Sequence, residues 1–415
     1  MRFLPLLALL LGLSELPLSA ATVDSGAAPV ASTLPNGAGV VLLGFSGSPY
    51  AGITLAVRSP FPPGTDSSRV FLRALALLLR DRLAQGLPKT IVAPLGSPGL
   101  ATLLTTDDPL LLLTLTCESS QAATALSSWM AALRAVRQTS PARLAAVLSE
   151  PRVLRRSSVD VTVALLSEPS PRLQDNSLSP DDFLSGLAQA LAPSNLALAA
   201  SLPGDATEFA AHIVAVLGSL SGQAAYTEPA LPAAQVSARI EHSGSLSRLC
   251  SVLVHPLRSP TDYATLELAC LLLGRARFSR VYGAARSQAA ITYDVDARLL
   301  TMGHLGMVAV GCTVPSRWAH EALSVLRTQF RSLTDSGPTE AELGQAKALV
   351  TFEHARLRDT PADWSLATAA RLANLGPQGL DLPLQETIDS IDTLEMKRFL
   401  SGLASWSATL ETGPP

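Results

Sequence analysis

The sequence predicts an α+β protein of two similar domains, each a mostly antiparallel sheet with helices packed on one face. Three observations predict it. The chain has 415 residues and 47% hydrophobic content, more apolar material than one small core needs. The same order of strands and helices recurs at an offset of about 195 residues. Between the two occurrences lies SGQAAYTEPALPAAQ, Ser221 to Gln235, with the Pro, Ala and Gly content of a linker. The organisation expected is a leader over 1–21, a first domain over 22–221, a linker over 222–235 and a second domain over 236–415.

The N-terminus reads as an export signal. Met1 and Arg2 precede the apolar run FLPLLALLLGL, and Ser19 and Ala21 are the small residues expected before a cut at Thr22. The run is shorter than the roughly 20 residues a membrane span needs. PLLLLTLTC, which follows Asp107 and Asp108, is also too short and reads as a buried strand. The mature chain is therefore expected to be exported, periplasmic in a bacterium or otherwise secreted, with no stable membrane insertion after signal cleavage.

The elements follow in order. GITLAVRS alternates as a strand does. After the strand ending at Cys117, Leu126, Trp129, Met130, Leu133 and Val136 fall on one face of a helix, and Ser140 with Pro141 opens the next. In the second half, ITYDVDARLL supplies a strand, and another ends near Cys312. A helix with Leu323, Leu326, Phe330 and Leu333 follows, then one opened by the Thr339–Glu342 capping box. Trp129, Trp318, Trp364 and Trp406 lie in helical patterns and are expected in the core. Cys117, Cys250, Cys270 and Cys312 are widely scattered; they suit either a disulfide in an exported protein or buried thiols.

A net charge of −3 with no basic run offers nothing to offset nucleic-acid phosphate, so no nucleic acid is expected as partner. No G-x-S-x-G elbow, phosphate-binding loop or Ser/His/Asp arrangement stands out.

Several segments resemble peptidase family M16. TLPNGAGVVLL, Thr33 to Leu43, is similar to the family's opening strand pair with its Asn-Gly turn. FSRVYGAARSQAAITYDV, Phe278 to Val295, follows without a gap the second-domain pattern of a helix running into a turn and a strand, and PTEAELGQAKALV resembles its recurrent capped helix. The resemblance runs from about Thr33 to the C-terminus and is loosest between Arg155 and Leu178.

Active members of the family carry H-x-x-E-H, two zinc-binding His one helical turn apart and a Glu general base between them. On the helix VFLRALALLLRD, Phe71, Ala74 and Leu75 occupy the His, Glu and His positions. None of the three can ligate a metal or accept a proton. No shift of alignment helps, because the first His of the chain is His212, and His242, His255, His304, His320 and His354 show no i,i+4 pairing. Glu150 falls near the family's distant third ligand, but one carboxylate makes a poor zinc site and reads as a solvated or capping residue.

The resemblance assigns something else to the second half. In the family, an Arg at a helix end and a Tyr seven residues later on the next strand reach across a chamber to the substrate at the other half's zinc; Arg286 and Tyr293 match that spacing and setting. A phenol and a guanidinium aimed at the scissile carbonyl oxygen stabilise the charge it develops. As ordinary structure, Tyr293 would face a core and Arg286 would cap a helix dipole. Arg280 reads as structural. LLGRARFSRV has the single Gly274 where presequence-processing relatives carry a glycine-rich loop, so a presequence role is not expected.

The resemblance thus implies a non-catalytic subunit with no cofactor of its own. Its expected partners are a zinc-bearing M16 peptidase subunit and unfolded peptides, bound by strand addition to a sheet edge. The alternative is an M16-fold scaffold or peptide-binding protein with no role in catalysis.

Overall fold

The computed structural model describes residues 30–44, 49–62, 65–86, 110–150, 178–203, 207–222, 245–292, 294–302, 305–376 and 384–402. The expected leader, nearly all of the expected linker, Tyr293 and Trp406 lie outside them.

The first half runs β1 (Val30–Thr33), β2 (Gly39–Gly44), β3 (Tyr50–Arg58), α1 (Asp66–Gly86), β4 (Leu110–Glu118), α2 (Ala122–Val136), α3 (Pro141–Leu148), α4 (Pro180–Ala190), β5 (Leu196–Leu202) and α5 (Thr207–Leu217). Its five strands lie in the order β1-β2-β5-β3-β4, antiparallel throughout except for the parallel pair β2–β5. The Asn36–Gly37 turn joins β1 to β2. Gly37 takes φ +96°, and the Asn36 amide donates to the carbonyls of Leu217 (2.8 Å) and Leu220 (3.1 Å), tying the hairpin to the end of α5.

The second half runs β6 (Leu246–Pro256), α6 (Pro260–Cys270), α7 (Arg280–Tyr282), β7 (Asp294–Met302), β8 (Leu305–Pro315), α8 (Ala319–Ser336), α9 (Glu340–Leu357), α10 (Pro361–Leu375), α11 (Leu384–Ser390) and α12 (Thr393–Gly402). Wider π-type turns prolong α6 over Leu271–Arg275 and α7 over Gly283–Gln288. The three described strands form an antiparallel sheet, β6-β8-β7. Local signals hold well here. Thr339 and Glu342 close the capping box at α9, Ser140 caps α3 ahead of Pro141, and the predicted apolar face of α2 is buried from Leu126 to Val136.

Each sheet lays one face on helices. The first core joins Ile53, Leu55, Val57, Leu111, Leu113 and Leu115 to α1, α2 and α4; the second joins Leu249, Leu253, Val308 and Val310 to α6, α8 and α9. The first sheet has a further layer. Helix α10, from the second half in sequence, lies across its opposite face, with Ala369, Leu372 and Ala373 on Val41, Ala56, Leu112, Ala197 and Ala199. Strand β3 is buried on both faces for this reason, although its alternation suggests one. The floor under α10 is made of small residues. A Cβ on Gly52 would collide with the Pro361 backbone, and Thr54 bonds Ser365 (2.9 Å) and Thr114 (3.0 Å) through buried hydroxyls.

One expectation needs correction. Trp129 is fully buried and Trp364 partly so, but Trp318 is 39% exposed. It stands in the short 3₁₀ turn that enters α8, ahead of the residues that face the core. All four cysteines are buried and in no disulfide, and burial pushes the thiols of Cys117, Cys270 and Cys312 up to about 12. No helix among the described residues is long and apolar enough to cross a membrane.

Candidate functional site

Helix α1 carries Phe71, Ala74 and Leu75 into the first core, where all three are fully buried. Phe71 meets the edge of Phe61 at 5.5 Å between ring centres and tilts against Phe183 of α4 at 5.1 Å. Gly186 makes room for this stack, since a Cβ there would come within 2.8 Å of the Phe61 ring. The face on which a metal would have to sit is thus a dry aromatic contact. Glu150 is half-buried past the end of α3, with its N–H donating to the Val147 carbonyl at 3.1 Å. Among the described residues no three His, Cys, Asp or Glu side chains gather as a metal group.

Arg286 lies on the wide turn after α7. The turn is set by backbone bonds that skip more residues than an α-helix does: Ala289 N–H to the Ala284 carbonyl (2.9 Å) and Ile291 N–H to the Ala285 carbonyl (3.0 Å). Ala290 then takes φ +54°, the left-handed region that costs an Ala side chain. Arg286 is exposed, with its guanidinium over the Tyr282 ring at 5.0 Å from the centre.

The backbone on either side of residue 293 is fixed. The buried Thr292 hydroxyl donates to the Thr313 carbonyl (2.6 Å) and accepts from the Asp294 N–H (3.1 Å). Thr313 Oγ1 donates to Asp294 Oδ2 (3.0 Å), and Asp294 pairs with Thr313 in the β7–β8 register. The structure therefore describes Arg286 and the anchors around Tyr293, but not Tyr293 itself.

Arg280 holds α7 in place, as its structural reading implies. Its fork grips Glu342 at both oxygens (Nε to Oε1 2.8 Å, Nη2 to Oε2 2.9 Å), and further bonds reach Ser332 Oγ (3.1 Å) and the Gly337 carbonyl (2.8 Å). Chiefly through the Arg280 hydrogen bonds, and despite the opposing pull of burial, the Glu342 carboxyl falls to about 2. Sequence reasoning found Glu342 as a capping residue only; nothing local signals a partner 62 positions away. Nor did it find the buried carboxylate Glu267, whose partner His354 lies 87 positions away at 3.1 Å. Chemically, the exposed Arg286 offers permanently charged N–H donors to a carbonyl or carboxylate, while positions 71, 74 and 75 offer only hydrocarbon.

Residues 177–350 match the sequence family described as peptidase M16 inactive domain. No curated protein matches the chain by sequence. Among solved structures, a protease from Helicobacter pylori superposes with a TM-score of 0.70 at 12% identity, over 93% of this chain and 99% of that one. A peptidase M16 inactive domain from Pseudomonas fluorescens gives 0.66 at 16%, over 94% and 99%. The periplasmic protease PqqL from Escherichia coli gives 0.60 at 14%, over 93% of this chain but 45% of its own length. The likeness to peptidase family M16 therefore holds in sequence over 177–350 and in fold over both halves.

Proposed function

We propose that this chain is the complementing, non-catalytic subunit of an exported M16-type zinc peptidase. It is taken to lie in the periplasm or outside the cell after signal cleavage and to pair with a second, zinc-bearing M16 subunit. Zinc belongs to that partner, and this chain supplies no cofactor. Arg286 and Tyr293 reach an unfolded peptide at the partner's metal, where the guanidinium and phenol donate to the scissile carbonyl oxygen or hold the peptide backbone in register.

One contrast carries the reading: the first half packs Phe71 into a dry aromatic stack, while the second presents Arg286 on a firmly anchored turn. The match to 45% of PqqL supports it in size, because this chain corresponds to about half of that protein.

The test is co-purification with a zinc-bearing M16 subunit, then peptide cleavage by each chain and by the pair. Only the pair should cleave, and Tyr293→Phe should lower its turnover by about 100-fold, the loss expected for one oxyanion donor, with assembly intact. Stoichiometric zinc on this chain alone, or cleavage by it alone, would refute the proposal. An unchanged rate with Tyr293→Phe and with Arg286→Ala would favour a scaffold or peptide-binding protein uninvolved in catalysis.

A further inference from the structure

Two arginines on α7 and its wide-turn extension are held in different ways. Arg280, at the start of α7, commits its donors to Glu342, Ser332 and the Gly337 carbonyl, and its side chain is 12% exposed. Arg286, on the extension, is exposed, and its guanidinium carbon stands 5.0 Å from the centre of the Tyr282 ring. That is closer than Arg371 over Tyr263 (5.7 Å) or Arg317 over Trp318 (5.8 Å). A guanidinium carries five N–H donors in its own plane. A ring face attracts the cation as a whole, so this contact restrains the side chain without occupying a donor.

Sequence and backbone account for the meeting. Tyr282 and Arg286 are four residues apart, the spacing that places side chains over each other on a helical wall. Between them stand only Gly283, Ala284 and Ala285, with nothing larger than a methyl group to intrude. The Arg280 clamp fixes one end of this segment. The wide-turn bonds from Ala289 to Ala284 and from Ile291 to Ala285 fix the other. Just beyond, Ala290 holds its φ of +54°, strain of the kind that gathers at functional sites. The backbone is thus set on both sides of Arg286, and what is left to set is a long side chain with much rotamer freedom. The half-buried Tyr282 ring supplies that restraint.

We infer that Tyr282 is a positioning residue: its ring holds the Arg286 guanidinium in one direction, so that a peptide carbonyl or carboxylate meets a donor already in place. What Arg286 meets rests on the complementing-subunit reading; how Arg286 is held rests on the contact with Tyr282. A guanidinium set in advance avoids the ordering that a free arginine undergoes on binding. The advantage is about threefold, the population change that one exposed cation–π contact commands.

Two readouts test this separately. In the mature chain carrying isotope-labelled arginine, the Arg286 Nε–H signal is the one lost in Arg286→Lys. The ring current of Tyr282 should move it upfield, Tyr282→Phe should keep it there, and Tyr282→Leu should release it. No ring shift in the native chain, or one that survives Tyr282→Leu, overturns the inference. In the pair with the zinc-bearing subunit, Tyr282→Leu should lower peptide turnover about threefold, and Tyr282→Phe should restore it. Tyr282→Leu should add nothing to Arg286→Ala. A loss in Arg286→Ala with none in Tyr282→Leu overturns the inference, as does a Tyr282→Leu loss that persists in the Arg286→Ala background. If Arg286→Ala itself changes nothing, the subunit reading fails and the Nε–H signal alone decides how Arg286 is held. Should Tyr282→Leu not fold, Tyr282→Met takes its place in both arms.

Discussion

Replacing Arg280 with Ala should destabilise the protein, and the loss should shrink in acid. The guanidinium makes four hydrogen bonds, two of them to Glu342, with side-chain exposures of 12% and 24% for the pair. Removing it leaves the carboxylate and the Gly337 carbonyl under-satisfied, at a cost of about 3 kcal/mol near neutral pH. Part of that cost is linked to protons. A fall from the ordinary 4.5 to about 2 corresponds to about 3 kcal/mol in a fully buried pair, and solvent screening at this partly exposed site brings it to about 1–2 kcal/mol. Because the folded carboxyl is depressed, this stabilisation is complete above the unfolded value near 4.5 and is lost as pH falls through about 2. Urea denaturation of the native chain and Arg280→Ala at several pH values between those limits reads it directly. The two stabilities should converge as pH falls. A gap below about 0.5 kcal/mol at neutral pH, the range of an ordinary surface change, would refute the reasoning, as would a gap that stays constant across the window.

Other changes probe the remaining features. Gly52→Ala places a Cβ in the Pro361 backbone and should cost about 3 kcal/mol, with the loss of α10 docking read as new protease cleavage near residue 361. Ala290→Gly should raise stability by about 0.5–1 kcal/mol, since glycine removes the left-handed strain but loses chain entropy of its own; thermal unfolding reads the gain, and a lower midpoint would contradict it. Phe71→Ala should cost about 3–4 kcal/mol, and equilibrium denaturation should show it, because the ring is fully buried between Phe61 and Phe183.

What the sequence makes legible is local. The leucine-rich strand at Leu110–Cys117, the one-sided face of α2 and the caps at Ser140 and Thr339 each depend on neighbours a few positions away, and each appears as expected. The crossing of α10 is not legible. The segment Pro361–Leu375 presents apolar residues and an arginine on different faces, and nothing in that pattern says which sheet takes which face. Its floor, Gly52, Thr54, Ala56, Ala197 and Ala199, is a set of small residues that reads as ordinary strand. The site shows the same division. Arg286 stands out in the sequence because its turn lies in one continuous match, whereas Glu342 as the clamp on Arg280 and the Glu267–His354–Arg371 contacts join elements far apart in sequence.

The position of α10 bears on how the chain melts. A twofold repeat invites the picture of two modules that could be cut apart and would unfold in separate steps. Here the first sheet is finished by a helix translated more than 150 residues after its last strand, β5. Until that helix emerges, Val41, Ala56, Leu112 and Ala199 form an apolar sheet face with no α10 over it, the kind of surface that binds chaperones or other chains. A fragment ending before α10 would keep that liability permanently. Because α10 finishes the first sheet from the second half, unfolding of the intact protein should couple the two sheets through that helix.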